Sequence, residues 1–289
     1  MSNHSTRAKL LYLHALTPVH SGTGQAVAVV DLPIAREKAT GWPIIPASSL
    51  KGVLRDALNN GQNKEWINRA FGRDVRGEEE GEAGLLCFTD QRILCLAVRS
   101  YFGTSAYATC PLVLERFLRD AHAMGIAAPF AKVPPVSDSP EGLNALVAKG
   151  SALARNSRVY LEDLDLVARE DDAVTQIANA LAGTLFTNNP QSMVQRFVLV
   201  SDEVFNFLCE TAVEVVARVR LQDDTKTVAP GALWYEEAVP AESIFSGAVL
   251  VADHYRKNPE ELWNNFQPSL IQVGGNSTVG RGLCRVVMA

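Results

Sequence analysis

The chain has 289 residues, of which 47% are hydrophobic and 20% are charged, and its formal net charge is −5. This length fits one large domain, or one core with long insertions, and the composition is ordinary for a soluble globular protein. No apolar run reaches the roughly 18 residues that span a bilayer, and the polar N-terminal segment lacks the pattern of a signal peptide, so we expect a cytoplasmic protein.

The first predicted unit is a strand, a long loop and a helix. Residues 8–16 are apolar and aromatic-bearing, which indicates a strand. Prolines and glycines in the loop that follows disfavour a helix there. Apolar residues then recur at helical spacing in 47–60, where Ser48 or Ser49 is the expected N-cap and Gly61 the expected end of the helix.

The later elements predict an α+β fold, because short helices alternate with separated and partly antiparallel strands. Their strand–helix–strand–strand–helix–strand order fits a ferredoxin-like core, the layout of RNA-recognition modules. We expect one domain over 1–289, with insertions at about 60–84 and 128–200 and a protruding β-hairpin at about 220–246. The predicted elements are two strands around a tight turn in 85–100, a helix at 111–124, a proline-rich surface loop at 128–150, helices at 169–184 and 201–216, a strand at 217–222, a buried strand at 244–252, a helix at 258–267, and a last strand after the loop 274–282.

Charge is distributed unevenly along the chain. Residues 1–60 carry six Lys or Arg and three Asp or Glu, residues 268–289 carry two arginines and no acid, and residues 61–267 carry 19 bases and 29 acids. If the two ends meet in the fold, they form a local phosphate-binding surface on an acidic body. The alternative is an uneven surface without functional meaning.

The cysteines argue against two kinds of site. There are five of them, widely spaced and without a CxxC pair, so zinc knuckles and disulfide frameworks are not expected. Cys87 and Cys95 lie in apolar runs and are predicted to be buried thiols in a reducing cytoplasm.

The glycine-rich loop at 274–282 is a candidate RNA-binding element. Its glycines expose backbone amides, and Arg281 and Arg285 add positive charge, which suits RNA phosphates. The loop lacks the Gly-Lys-Ser/Thr of a Walker A loop, and a strand follows it where a dinucleotide fingerprint would need a helix. A flexible hairpin loop is the alternative interpretation.

The start of the first helix is a second candidate for RNA binding. Ser49 and Lys51 lie at its N-terminal end, and Arg55 follows one turn later. The free amides and the positive end of the helix dipole attract a phosphate, and Lys51 reinforces that charge. The alternative is an ordinary capped helix with exposed bases.

The candidate catalytic residues come from two segments. His20 and Asp31 lie on one glycine-bearing loop, where they could supply acid–base catalysis or a metal ligand. The alternatives are a structural histidine and a turn-capping aspartate. In Trp234-Tyr235-Glu236-Glu237 the aromatics could stack on bases and the acids could assist chemistry, whereas the alternative is a strand with one apolar and one solvated face.

The order and the amino-acid sequences of these segments resemble those of one known family. The chain resembles the RAMP superfamily of CRISPR proteins and, within it, the Cas-seven-type backbone subunits of type III-B (Cmr) effector complexes. The glycine-rich loop is shared by the wider superfamily, whereas the first matching stretch is long enough to be highly specific. The stretches that carry the resemblance are HSGTGQAVAVVDLPIAREKATGWPIIPASSLKGVLRDAL at 20–58, FTDQRILCLAVRS at 88–100, CPLVLERF at 110–117, LWYEEAVPAESIF at 233–245 and GGNSTVGRG at 274–282.

The resemblance implies a modified RNA-recognition core with a thumb hairpin, and several copies stacked along one guide RNA. It implies cleavage of the paired, single-stranded target RNA at regular intervals, with the ribose 2′-hydroxyl as nucleophile and a weakly bound divalent metal, Mg²⁺ or Mn²⁺. The implied partners are the guide RNA, the target RNA, further copies of the chain and other subunits of the complex, with no membrane.

The resemblance also implies roles for individual residues. The catalytic aspartate of the family matches Asp31, which is also the implied metal ligand, and the histidine of the preceding loop matches His20. The acidic position of the thumb matches Glu236 or Glu237, with Tyr235 beside them. The implied guide-binding residues are Ser49, Lys51, Arg55, Gly274, Gly275, Asn276, Gly280, Arg281 and Gly282.

Other functions remain open at this point. A non-catalytic scaffold of the same architecture would hold RNA without cutting it, and a type III-A backbone subunit would share related motifs. A guide-processing endonuclease of the same superfamily would normally contain two related domains, and no second copy of the core is visible in the sequence. An unrelated small-molecule enzyme would need a deep pocket.

Overall fold

A computed structural model of the protein describes residues 7–22, 30–73, 81–140, 142–222, 224–225, 227–252, 255 and 259–289. None of the helices in these ranges is long and apolar enough to cross a membrane. The strands are β1 (Ala8–Ala15), β2 (Ile44–Ile45), β3 (Leu86–Phe88), β4 (Gln91–Arg99), β5 (Ser105–Thr109), β6 (Leu143–Val147), β7 (Arg158–Leu161), β8 (Leu164–Glu170), β9 (Phe197–Val200), β10 (Glu214–Leu221), β11 (Val228–Ala238), β12 (Ile244–Val251), β13 (Leu270–Gln272) and β14 (Leu283–Met288). The helices are α1 (Ala47–Leu58), α2 (Lys64–Phe71), α3 (Pro111–Ala123), α4 (Asp172–Leu185), α5 (Pro190–Val194), α6 (Asp202–Thr211) and α7 (Glu260–Asn265), with a 3-10 helix at Ser277–Val279.

Most of the described strands belong to one continuous mixed sheet. Its order is β13-β14-β1-β12-β4-β5-β9-β6-β8-β7, with β2 beside β4 and β3 beside β12. The pairs β5–β9 and β6–β8 are parallel, whereas β1 is antiparallel to both of its neighbours, β12 and β14. The predicted mixture of helices with partly antiparallel strands is therefore confirmed. The two ends of the chain also meet, because β1 and β14 are adjacent.

The centre of the sheet is buried on both faces. Leu11, Tyr12 and Leu13 of β1 have no exposed surface, so successive side chains of this strand point into packed layers on opposite sides. Two of the described helices, α4 and α6, begin at side-chain caps. Asp171 accepts hydrogen bonds from the backbone N–H groups of α4, and Ser201 accepts one from α6, which satisfies donors that the first helical turn leaves unpaired.

β10 and β11 form a separate hairpin outside the large sheet. Its register pairs Ala217 with Tyr235 and Val216 with Glu236, and the register shifts between Val219 and Leu221, towards the tip. The hairpin occupies 214–238 and thus begins and ends earlier than the 220–246 that the sequence indicated. β12, which follows it, returns to the centre of the large sheet.

Several local predictions are wrong in informative ways. Residues 128–150 are not a loop throughout, because the buried strand β6 follows the prolines. The helix predicted over 201–216 ends at Thr211, since the β-branched run that begins at Val213 continues as β10. β3 and β4 are both present, but each pairs with β12 instead of with the other. Cys87 is exposed, because the side chains of the short strand β3 alternate and that of Cys87 points outward.

The caps of α1 also differ from the prediction. Pro46 precedes the helix, and the N–H of Ala47 donates to the Asp90 carboxylate at 2.8 Å, so Ser48 and Ser49 lie inside the first turn. The helix ends before Gly61, with Asn59 as its C-cap. A carboxylate from the β3–β4 connection thus already lies at the positive end of this helix dipole.

Candidate functional site

One edge of β11 carries both loop segments that contain the predicted catalytic residues. The N–H of Leu32 donates to the Tyr235 carbonyl at 3.1 Å, and the Leu32 carbonyl accepts from the N–H of Glu237 at 3.0 Å. Further along the same edge, Val19 and Val239 exchange two backbone hydrogen bonds of 2.9 Å. Because β10 occupies the other edge of β11, the two segments lie end to end on its free side.

Asp31 lies at the surface, at the start of the segment that pairs with β11. Its Oδ2 accepts a hydrogen bond of 2.8 Å from the N–H of Tyr235. This contact fixes the carboxylate beside the hairpin, while the residue as a whole is exposed. The side chain of Tyr235 is itself 43% exposed and lies at the same position of the hairpin.

His20 is buried and has a defined orientation. Its Nδ1 lies 2.6 Å from the Glu237 carbonyl oxygen, two residues along β11 from the Asp31 contact. A carbonyl oxygen only accepts hydrogen bonds, so Nδ1 carries the proton and Nε2 of the neutral ring holds a lone pair. Nε2 faces Gly22, which has no side chain to cover it.

A shallow hollow of about 290 Å³ lies in front of these segments. It brings His20 together with three of the residues predicted to bind RNA. Lys51 and Arg55 lie further along α1 and are half-buried, and Gly280 is exposed at the tip of its loop. The residues that line the hollow are His20, Ser21, Gly22, Leu32, Ser49, Gly274 and Gly275.

The glycines of the 274–282 loop allow it to pack closely against its neighbours. A Cβ on Gly274 would lie 2.0 Å from the His20 carbonyl oxygen, and the N–H of Gly275 donates to that same oxygen at 3.0 Å. A Cβ on Gly282 would lie 1.9 Å from the Val273 carbonyl oxygen. These glycines are therefore needed for contacts within the chain, whatever they bind outside it.

Glu236 connects the hairpin to the glycine-rich loop. It is 3% exposed, and its Oε1 accepts from Trp234 Nε1 at 2.8 Å. Its Oε2 accepts from Asn276 Nδ2 at 2.9 Å and from Arg218 Nε at 3.2 Å. Burial raises the pKa of Glu236, but the hydrogen bonds from Trp234 and Arg218 outweigh it and hold the pKa below its usual value.

Glu237 connects the hairpin to the Asp31 segment. Its Oε2 accepts from the N–H of Ile34 at 3.0 Å, and its Oε1 accepts from Arg36 Nη2 at 2.8 Å. Both carboxylate oxygens of this buried residue are thus used inside the chain. Neither of these two glutamates of β11 lies at the surface as Asp31 does.

The two C-terminal arginines face inward. Arg281 is 9% exposed, lies 3.9 Å from the Glu214 carboxylate, and has no hydrogen-bond partner for Nη1 within the described ranges. Arg285 is half-buried and donates to the Leu185 carbonyl. The basic chain ends therefore meet, but these two side chains add less surface charge than their sequence positions indicated.

The donors available for a metal ion are few. Within the described part of the chain, no group of three or more His, Cys, Asp or Glu side chains is arranged to hold one. Asp31, next to Leu32 of the hollow's lining, offers an exposed carboxylate as a hard donor. Mg²⁺ is commonly held by one or two carboxylates together with substrate phosphates and waters, and this donor set fits that mode.

Sequence reasoning missed three residues that shape the site: Gly22, Arg36 and Arg218. Gly22 leaves Nε2 of His20 uncovered, and the two arginines bind Glu237 and Glu236 of β11. Arg36 and Gly22 lie within the stretch 20–58 that carried the resemblance, so that stretch was the available signal. Arg218 had no signal of its own, since only the pairing of β10 with β11 brings it beside Glu236.

Comparisons with known proteins agree over nearly the whole chain. The model of the RAMP superfamily matches residues 12–285. The chain is 34% identical over 290 residues to the CRISPR system Cmr endoribonuclease Cmr4 of Pyrococcus furiosus, covering 98% of this chain and 96% of that protein. The crystal structure of oligomeric Cmr4 from Pyrococcus furiosus superposes with a TM-score of 0.76 at 30% identity, covering 99% of each chain. A chain in the cryo-EM structure of the type III-B Cmr-beta complex bound to cognate target RNA has the same fold, with a TM-score of 0.76 at 21% identity and coverage of 99% and 98%.

Proposed function

The chain belongs to the RAMP superfamily, and from this membership and the geometry of the site we propose that it is a backbone subunit of a type III-B CRISPR effector complex that cuts RNA. One observation carries the proposal. Asp31 and His20 are held two residues apart on the free edge of β11, beside a hollow that Ser49 and the glycine-rich loop also line. The similar protein of Pyrococcus furiosus is named an endoribonuclease, which supports the same activity here.

We propose that the core of the fold is ferredoxin-like and that β10–β11 is its thumb. The neighbours β14, β1, β12 and β3 support this, because they have the strand order of that core, with α1 and α7 as the two crossover helices. Guide RNA is then held by the side chains of Ser49, Lys51 and Arg55 on α1 and along the loop 274–282. Further copies of the chain stack along the guide, as the oligomeric crystal form of the similar protein suggests.

Target sequence is recognised by base pairing with the guide, and the protein reads backbone shape. The thumb hairpin distorts the paired target once per subunit, so cuts recur at regular intervals. Distortion brings the 2′-oxygen, the phosphorus and the leaving oxygen into line, which is the main contribution that positioning makes to this reaction.

Asp31 and His20 take complementary roles at the scissile phosphate. The Asp31 carboxylate accepts the proton of the 2′-hydroxyl, or it would hold a divalent metal together with the RNA. His20 presents Nε2 to the hollow, where its protonated form donates to a phosphate oxygen or to the leaving oxygen. A divalent metal bound by Asp31 and the RNA would neutralise charge on the phosphate.

The glutamates of the thumb act on the protein instead of on the RNA. Glu236 holds Asn276 and so the glycine-rich loop, and Glu237 holds the Asp31 segment. This division gives both acidic residues a function without exposing either to the target strand. Tyr235, which is exposed beside Asp31, is the thumb residue best placed to contact a displaced nucleotide.

The experiment that tests the proposal uses the complex assembled with its guide. We expect Asp31→Asn to abolish cleavage of a complementary target RNA, while assembly, guide content and target affinity stay at the wild-type level. Cleavage that persists in this variant would remove Asp31 from the chemistry. A wild-type complex that binds target without cutting it would instead identify the non-catalytic scaffold.

A further inference from the structure

Arg36 joins three separate parts of the fold with one guanidinium. Its Nη2 donates to Glu237 Oε1 at 2.8 Å, and its Nη1 donates to the carbonyls of Gly41 and Cys209, each at 2.9 Å. These acceptors lie on the hairpin, on the Asp31 loop itself and at the end of α6. A planar guanidinium makes these three bonds from two nitrogens held in a fixed fork, whereas a lysine would have to reach all three acceptors from a single nitrogen.

Glu237, which forms the ion pair with Arg36, holds the Asp31 segment by both its backbone and its side chain. The N–H of Glu237 donates to the Leu32 carbonyl at 3.0 Å, and its Oε2 accepts from the N–H of Ile34 at 3.0 Å. Pro33, between them, has no N–H to offer. The chain from Asp31 to Arg36 is therefore fastened to β11 at Leu32, at Ile34 and at the ion pair.

The rest of the same loop is anchored independently of this ion pair. Glu37 accepts two hydrogen bonds from Arg116 of α3, and Trp42 Nε1 donates to Asn206 of α6 at 3.2 Å. The Trp42 ring also packs edge-on against a phenylalanine of α6, with ring centroids 5.2 Å apart. Loss of the Arg36 contact would thus loosen residues 31–36 while the loop beyond them stays in place.

We propose that Arg36 is a positioning residue for target cleavage, which acts by holding Glu237 and thereby the register of Asp31 on β11. The inference rests on the proposed function. Arg36 reaches the reacting atoms only through other residues, so its removal changes the placement of the carboxylate and leaves its chemistry intact. A displacement of about 1 Å at a reacting group can cost on the order of a hundredfold in rate.

The test compares four variants in the assembled complex: Arg36→Gln, Arg36→Lys, Glu237→Gln and the double variant Arg36→Gln/Glu237→Gln. Arg119→Gln is the matched control, because Arg119 is an exposed arginine that also pairs with a carboxylate, that of Asp120. We expect Arg36→Gln to slow single-turnover cleavage by about 10- to 100-fold at saturating target RNA. Target affinity and guide content should stay within about twofold of wild type, since binding uses other residues.

Three further readouts separate positioning from general destabilisation. The double variant should be no slower than Arg36→Gln, because both substitutions break the same contact. Arg36→Lys should recover part of the rate. Amide hydrogen exchange of residues 30–36 should accelerate in Arg36→Gln but not in Arg119→Gln, which can be measured even without cleavage.

Cleavage at the wild-type rate by Arg36→Gln, or additive losses in the double variant, would overturn the proposal. If Arg36→Gln fails to fold, Arg36→Lys and Glu237→Gln decide the question by the same measurements. A wild-type complex that does not cut would refute the proposed function separately. Unchanged hydrogen exchange at 30–36 in Arg36→Gln would then refute the positioning contact as well.

Discussion

The imidazole of His20 and the α-carbon of Gly22 are so close that a methyl group on Gly22 would lie 2.8 Å from Nε2. The ring cannot turn away easily, because its Nδ1 is bonded to the Glu237 carbonyl at 2.6 Å. The backbone of Gly22 is not in the left-handed region. An alanine at this position would therefore clash with the ring but would not strain the backbone. The absence of a side chain at residue 22 is thus what leaves Nε2 open to the hollow.

We therefore expect Gly22→Ala to slow cleavage about as much as loss of an acid–base group does, on the order of a hundredfold. The reason is that the methyl group covers Nε2 or displaces the ring. The control is Gly52→Ala on α1, where a Cβ meets nothing within 4 Å. Single-turnover cleavage by the assembled complex is the measurement, and equal rates for the two variants would exclude a role for Nε2.

The hydrogen bond between Asn276 and Glu236 predicts that substitutions at residue 276 destabilise the protein to different degrees. Asn276 has φ of 63°, so glycine keeps its backbone while removing the amide. Asn276→Gly should cost about 1.5 to 3 kcal/mol of unfolding free energy, the usual value of a hydrogen bond to a charged group. Asn276→Asp should cost more, because it puts a second carboxylate against Glu236. Thermal unfolding and the amount of co-purified guide RNA measure both effects, and an aspartate variant as stable as the glycine variant would contradict this account.

Two glycines of the same loop form a matched pair for testing close packing. Gly280 and Gly282 have φ of 78° and 77°, but a Cβ at Gly280 meets open space, whereas one at Gly282 would lie 1.9 Å from a carbonyl oxygen. Gly280→Ala should lower the free energy of unfolding by about 1 kcal/mol, which is the cost of an alanine in the left-handed region. Gly282→Ala should lower the free energy of unfolding by several kcal/mol more, because the backbone must move to make room for the methyl group. Urea unfolding of the two variants checks the difference, which should vanish if the loop adapts freely.

Glu37 predicts a pH dependence of stability. The hydrogen bond from Arg116 lowers the pKa of Glu37 to about 2 from its usual value of 4.5, against the opposing effect of burial. A pKa lowered by folding stabilises the protein above the ordinary glutamate pKa, and the stabilisation is lost as pH falls from there towards 2. Glu37→Gln should therefore be less stable than wild type at pH 7, by on the order of 2 kcal/mol, with a smaller difference near pH 3. Urea unfolding at the two pH values measures this, and a difference independent of pH would show that the charge is not the cause.

The proposed divalent metal can be tested directly, because Asp31 offers one exposed carboxylate and the remaining ligands would have to come from the RNA and from water. If Asp31 holds a divalent ion together with RNA phosphates, EDTA should stop cleavage, and added Mg²⁺ or Mn²⁺ should restore it. Guide content and target binding should not change on chelation. Undiminished cleavage in EDTA would leave Asp31 and His20 to act by proton transfer alone.

The parts of the fold that were predictable from sequence are those with strong local periodicity. β1 and α3 were predicted almost to the residue, and α1 to within about three residues at each end, because their apolar spacing and flanking prolines are local signals. β6 was missed because prolines precede it, and α6 was predicted too long because the transition from helix to strand at Val213 carries no glycine or proline.

The candidate site was predictable only where the resemblance supplied the residues. The contacts of Glu237 with Ile34 and Arg36 join positions 203 and 201 residues apart, and no local pattern indicates such pairs. For the same reason the sequence could not distinguish Glu236 from Glu237. Their different partners follow from the tertiary pairing of β11 with the loop on one side and β10 on the other.

The register shift between Val219 and Leu221 separates the outer part of the hairpin from the part that contacts Asp31 and His20. An insertion or deletion in the outer part would change the register only at this irregularity. The pairing at Tyr235 and Glu237 would stay the same. The reach of the hairpin can therefore vary among related proteins without moving the two side chains relative to each other. If the hairpin enters the guide–target duplex as proposed, its depth of entry can change during evolution while Asp31 and His20 keep their spacing.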